Sequence, residues 1–458
     1  MTFRTALLVA LVAVASACGT AEPELVSQSY RPAPACRSVL VRITVMDGDL
    51  HTPVRGATVR IGDRVEVSDR GGRAWDRLPC RRSVPVRIRA DGYIPKLARP
   101  PFKRRTKVVV RVYKKSLQWT MYGAGPGRTQ AHRAITVRPP FKIRWARGFN
   151  TLIEFPAVVS EGVAYVGNLR GTIYAFSMRD GRIAWRRKLR EKMASSPAVV
   201  RDLLVVHTMR GRVWVLKRSN GKPLWSFSVG SKIESSPVVR YGVDYFGTHS
   251  GRVYALDVFK RRVRWIRGGN CKLTASASLQ GRSLFIGDYC GRVLALDLRT
   301  GRRRWTGRVG GRVYGTAAVL GRRLFVPSST GGSITAFTTR GRTLWRIRTG
   351  SYVYSSPAAW GGRVFFGSYN GRMYAASASS GRVLWSVRVG GRISGAVVVV
   401  AGVAYAGTRR QIVGADAKSG RVLVRFPHGD YVPVSGNGRR LLLHGFSKIW
   451  AVDPKRRR

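Results

Sequence analysis

The chain has 458 residues, 44% hydrophobic and 10% aromatic, an ordinary globular composition that excludes whole-chain disorder. Its charge balance is extreme: 83 Lys+Arg against 22 Asp+Glu give +61, so chemistry that needs many carboxylates has few to draw on. Five cysteines are too few for a disulfide-dense miniature scaffold, and no stretch beyond residue 18 approaches the length of a membrane span.

Residues 1–17 read as a signal peptide. Arg4 supplies a short positive region, residues 6–14 form an apolar run, and Ala15-Ser16-Ala17 is a small-residue cleavage site. Cys18 follows directly. That placement resembles a bacterial lipobox, which implies a lipidated Cys18 and a membrane-anchored lipoprotein of the cell envelope; a secreted protein is the alternative. Either route takes the chain out of the cytoplasm. Residues 18–35 are then the lipid-anchor site and a polar, Pro-rich tether. With Cys18 set aside, Cys36 and Cys80 fall in the first folded segment, and Cys271 and Cys290 in the second. Each pair is expected to bridge locally in an oxidising compartment.

Residues 36–115 predict a small β-sandwich. Short alternating strands at VLVRITV, ATVRIG, VPVRIRA and KVVVRVY are punctuated by Asp47-Gly48, Arg70-Gly71-Gly72 and Asp91-Gly92, with no helical period. The runs 53–59, 68–74 and 90–93 resemble the carboxypeptidase regulatory-like (transthyretin-like) module, which implies an adhesive or spacing unit without catalysis. A generic immunoglobulin-like sandwich is the alternative and carries the same functional meaning.

Residues 116–458 are one repeat. Trp145, Trp185, Trp225, Trp265, Trp305, Trp345 and Trp385 are spaced by 40 residues every time. Gly171, Gly211, Gly251, Gly291 and Gly371 keep the same interval, and Ser195-Ser196-Pro197 recurs as Ser235-Ser236-Pro237 and Ser355-Ser356-Pro357. The ladder slips near Gly331-Gly332 and loses its tryptophan at Val424. Each unit reads as four short strands, so the expectation is an all-β propeller rather than a helical solenoid.

Within a unit, Ala295, Gly301 and Trp305 stand first, seventh and eleventh, as do Ala175, Gly181, Trp185 and Ala375, Gly381, Trp385. This resembles the tryptophan-docking repeat of pyrroloquinoline-quinone-type (PQQ-like) β-propellers. The entry segment Trp119-Thr120-Met121-Tyr122-Gly123 with Arg128-Thr129 resembles that family's usual start. The glycine turns the hairpin while the indole docks between neighbouring blades. Seven full units end at Trp185 through Val424. The remainder around Ile449-Trp450-Ala451 lacks a docking strand, and Phe141-Lys142-Ile143-Arg144-Trp145 is a docking strand without a blade. Joining them predicts an eighth blade built from both ends; seven blades is the alternative. Cys271 precedes the first strand of its blade and Cys290 follows the second, which places them close enough to bridge.

The resemblance implies either a quinone-dependent dehydrogenase or a non-catalytic scaffold. The dehydrogenases commonly carry adjacent cysteines, carboxylate and amide ligands for Ca²⁺, and an Asp base, and this set is missing here. The six histidines show no metal-ligand spacing, so no catalytic, cofactor or metal residue is nominated and no cofactor is expected. Glu154 and Glu234, just ahead of inner strands, are expected to pair with surrounding arginines rather than to bind a ligand. The charge points elsewhere. Arg212, Arg292, Arg372 and Arg392 sit in recurring Gly-Arg dipeptides and form a candidate basic rim for an envelope protein or an anionic polymer or lipid surface. Nucleic acid is not the expected partner of an exported chain. The expectation is a non-catalytic, membrane-anchored binding scaffold, with a divergent quinoprotein dehydrogenase as the alternative.

Overall fold

The computed structural model describes residues 38–78, 84–100 and 106–455. Cys18, Cys36, Cys80 and the leader and tether therefore lie outside the described residues. Among the described residues no helix is long and apolar enough to cross a membrane.

The N-terminal unit is two sheets facing each other across one core. Val39–Asp47 lies between Arg73–Leu78, its antiparallel neighbour, and Thr106–Val112, its parallel one. The second sheet runs Arg64–Val67, Thr58–Ile61, Val86–Arg89, Lys96–Ala98. Period-two alternation makes the packing: Val41, Ile43 and Val45 point in from one sheet, Val59, Ile61, Val86 and Ile88 from the other.

Eight four-stranded antiparallel units follow. The first is Val158–Ser160, Val163–Gly167, Thr172–Ser177 and Ile183–Lys188, and the pattern recurs every forty residues. The seventh gains Ala131–His132 beside its first strand. The eighth joins Val434–Gly436, Leu441–His444 and Lys448–Pro454 to Phe141–Gly148, with Ala451 opposite Trp145. Both ends of the repeat region thus share one sheet, whose first strand packs against that of the first sheet and closes the ring.

Burial grades from axis to circumference. Leu203–His207 and Val243–Gly247, second strands, are buried at every position, because neighbouring sheets cover both faces. Fourth strands such as Ile183–Lys188 stay largely exposed. The tryptophans tie each sheet to the next. Trp145 Nε1 donates to Met178 O at 3.1 Å, Trp185 to Arg218 O at 3.0 Å, Trp265 to Leu298 O at 3.0 Å and Trp305 to Thr339 O at 2.9 Å. Trp345 and Trp385 do the same with Ala378 O and Ala417 O, each at 3.3 Å. The repeating glycine is the floor of this contact: a Cβ on Gly221, whose φ is +68°, would lie 2.5 Å from the Trp185 ring. Trp225 breaks the rule, since Arg261 stands where that glycine belongs.

The Ser-Ser-Pro motif has its own task. The backbone N–H of Ser196 donates to Ser236 Oγ at 3.1 Å, that of Ser236 to Ser276 Oγ at 2.9 Å, that of Ser276 to Thr316 Oγ1 at 3.1 Å, and that of Thr316 to Ser356 Oγ at 2.9 Å. A girdle of hydrogen bonds therefore runs from sheet to sheet around the axis.

Residues 119–130 close one end of that axis. Their carbonyls accept from the first strands in turn: Thr120 O from Val199 N, Pro126 O from Leu279 N, Gly127 O from Val319 N, Thr129 O from Ala359 N and Gln130 O from Val399 N, each at 2.8 Å. The third sheet is reached by a side chain instead. Arg128, fully buried, donates to Ser236 O (3.0 Å), Pro237 O (2.9 Å) and Ala277 O (3.1 Å), and also to Tyr122 O. Burial pulls its pKa down to about 10, and these carbonyls replace its lost hydration.

Candidate functional site

Antiparallel connectivity divides the propeller into two faces. Hairpins joining strands one to two and three to four lie on one face; turns between strands two and three, and links to the next sheet, lie on the other. The N-terminal unit packs on the first face. Its buried Asp49 accepts from Gln118 Nε2 at 2.8 Å and from Asn437 Nδ2 at 2.9 Å, and Lys96 pairs with Glu161 at 3.0 Å. Burial foremost pushes the Asp49 carboxyl up to about 7, against those two hydrogen bonds.

The second face holds an axial cavity of ≈ 220 Å³. Its wall is one repeat column: Glu154, Ala194, Glu234, Thr274, Tyr314, Tyr354 and Ser394 stand at intervals of forty residues, with Tyr122 of the closing segment also lining the cavity. Glu154 and Glu234 come from the first and third sheets, Tyr314 and Tyr354 from the fifth and sixth, so carboxylates face tyrosines across the axis. The tyrosines form a chain, with ring centroids 4.4 Å apart for Tyr289 and Tyr314, 4.9 Å for Tyr314 and Tyr354 and 4.8 Å for Tyr354 and Tyr369.

The expectation that Glu154 and Glu234 pair with arginines is corrected. Glu234 stands 2.9 Å from His249 Nε2, and Glu154 has no basic group in ion-pair reach among the described residues. The inner positions face the axis, away from the arginine-bearing outer strands. Burial, then the negative charges of Glu234 and Asp430, push the Glu154 carboxyl up to about 7. Burial pushes Asp430 up to about 6, which Arg409 opposes.

The four arginines singled out in the sequence all lie on the cavity face, where their partners differ. Arg212, Arg292 and Arg372 open third strands on the cavity face and are half-buried. Arg212 Nε lies 3.5 Å from Glu191 and Arg292 Nε 2.7 Å from Asp288, so two of them are neutralised in place. Arg372 donates to Ser386 Oγ, and Arg392 lies in a link between sheets, over the Tyr369 ring.

An exposed basic row lies on the opposite face. Arg182, Lys222, Arg262, Arg302, Arg342, Arg382 and Arg421, each directly after the residue that floors a tryptophan, are all exposed. Arg182 stands 3.9 Å from Asp180, and the other six have no carboxylate in ion-pair reach among the described residues. The signal was present in the sequence as a Gly-Arg dipeptide at five of these seven positions, with Gly-Lys at 221–222 and Arg-Arg at 261–262.

Cys271 and Cys290 form a disulfide with Cα atoms 5.8 Å apart on the cavity face. Asp288 lies beside them, but sulfurs bonded to each other are not metal ligands. His207 is wholly buried, between Ser235 O at 2.7 Å and Asp244 at 2.8 Å, and serves the core.

The family model described as outer membrane protein assembly factor BamB matches overlapping segments 116–269, 170–319, 261–359 and 330–445. Among solved structures, the chain is similar to BamB from Moraxella catarrhalis, at 19% identity and TM-score 0.60 over 70% of this chain and 99% of that one. It is similar also to the quinohemoprotein alcohol dehydrogenase from Comamonas testosteroni, at 14% identity and TM-score 0.64 over 74% and 81%. A europium-containing methanol dehydrogenase aligns at 12% identity and TM-score 0.63 over 74% and 98%. Comparison with the curated proteins gives no match. At these identities the structural likenesses speak for the fold alone.

Proposed function

The chain belongs to the family described as outer membrane protein assembly factor BamB, and from that premise we propose a non-catalytic, extracytoplasmic scaffold that meets an anionic envelope partner through its exposed basic row. Lipidated Cys18 would hold it at the membrane. The N-terminal unit and the basic row share a face, so a tether entering that unit turns the row toward an anionic surface.

The observation that carries the reading is the sign of charge in the two places a partner can reach. Pyrroloquinoline quinone bears several carboxylates and requires cationic donors. The axial cavity is lined by Glu154 and Glu234 and by no lysine or arginine, so its residues do not fit that group. The basic row is open to solvent and its charge is largely unpaired, which suits long-range attraction of anions.

The likeness in fold to quinoprotein dehydrogenases keeps a dehydrogenase as the second reading. Titrating the purified chain with the quinone and Ca²⁺, then assaying dye reduction with an alcohol, separates the two. The scaffold reading expects neither stoichiometric quinone absorbance nor turnover; both together would replace it with the dehydrogenase.

A further inference from the structure

We propose that the axial cavity is a binding site for an organic ammonium group, held by the carboxylates of Glu154 and Glu234 against the rings of Tyr314 and Tyr354. The site is independent of the basic row and lies on the other face. Three observations converge on it. The cavity is closed at one end by residues 119–130, so it is a pocket with a floor rather than a through-channel. Its two carboxylates share the lining with tyrosines, among them Tyr314 and Tyr354 from the fifth and sixth sheets, the arrangement that recognises an alkylated cation by charge and ring quadrupole together. Glu154 has no counter-charge of its own among the described residues, and burial, then the nearby charges of Glu234 and Asp430, hold its carboxyl up, a deficit that a bound cation would relieve.

The class follows from what the wall offers. Ca²⁺ asks for six to eight oxygen ligands, whereas this lining offers two carboxylates and six aromatic rings among its eighteen residues. An anion meets the carboxylates. Lys272 and Arg392 stack on Tyr289 and Tyr369, at 4.8 Å and 5.7 Å, while no basic side chain stacks on Tyr314 or Tyr354 among the described residues. Those two rings, though packed on neighbouring tyrosines, carry no stacked cation of the chain's own. The ammonium belongs either to a free amine or to a lysine side chain of a partner.

Isothermal titration of the full chain with putrescine, with Nα-acetyl-lysine amide, with CaCl₂ and with butyrate tests the assignment. At least one of the two amines is expected to bind, and the tighter one names the source. Glu234→Gln and Glu154→Gln are each expected to weaken amine binding by about tenfold or more, and Tyr354→Leu by about threefold. Unchanged melting temperatures in Glu234→Gln and Tyr354→Leu exclude misfolding as the cause. Absence of amine binding overturns the proposal, as does Ca²⁺ or butyrate binding tighter than either amine, or amine binding that ignores both glutamates.

Discussion

Glu154 holds its proton more tightly in the folded chain than in the unfolded one. Its folded pKa is about 7 against an ordinary 4.5, chiefly through burial. Below pH 4.5 both states are protonated. As pH rises toward 7 the unfolded state ionises first, so this residue's contribution to stability falls through that window and levels off above it. Glu154→Gln should therefore gain on the wild type by about 2–3 kcal/mol between pH 4 and pH 8, read by urea unfolding at each pH; a gap that does not change with pH would contradict this. His444 works at the acid end. Burial pulls it down to about 4, so stability is lost as pH falls from 6.5 toward 4, and His444→Asn should blunt that loss in the same titration. At this scale the sequence shows position but not company. The forty-residue column places Glu154, Glu234, Tyr314 and Tyr354 at equivalent inner sites, yet which charge faces which depends on the order of sheets around the axis.

The tryptophan and the glycine of the next sheet act as one element. Trp185→Ala should cost about 3 kcal/mol, and Gly221→Ala a comparable amount, because any Cβ there meets the indole at 2.5 Å in a left-handed backbone. Together they should cost less than the sum, since removing the ring removes the clash; strict additivity in a double-mutant cycle would deny the docking contact. Replacing both Cys271 and Cys290 by Ser should cost about 2–3 kcal/mol for a loop of separation 19. Strand order, docking and this bridge were legible because each recurs in, or is bounded by, the repeat. The closing segment was not, since its hydrogen bonds to successive first strands come from irregular backbone with no period of its own. Which Gly-Arg carries free charge is a local matter. The repeat around Trp305 offers two, but Arg292 has Asp288 four residues before it and pairs with it, whereas Arg302 has no such neighbour.

At the scale of the whole molecule, one face opens onto a carboxylate- and tyrosine-lined pocket, and the other carries a basic row beside the N-terminal unit. At +61 its far field attracts anions, and the row gives that field an exposed edge. Attraction of this kind is screened within about 10 Å at 0.1 M salt, so it carries a distinct signature. Co-sedimentation of the full chain with vesicles containing anionic lipid, across a salt series, reads it directly. Binding should be strong at low salt, fall steeply as salt rises, and weaken at least tenfold when Arg262, Arg302, Arg342 and Arg382 are replaced together by Gln, while Arg212→Gln with Arg292→Gln changes it little. Binding that ignores both salt and the four row substitutions would contradict the account, and the arginines would then reflect composition rather than a partner.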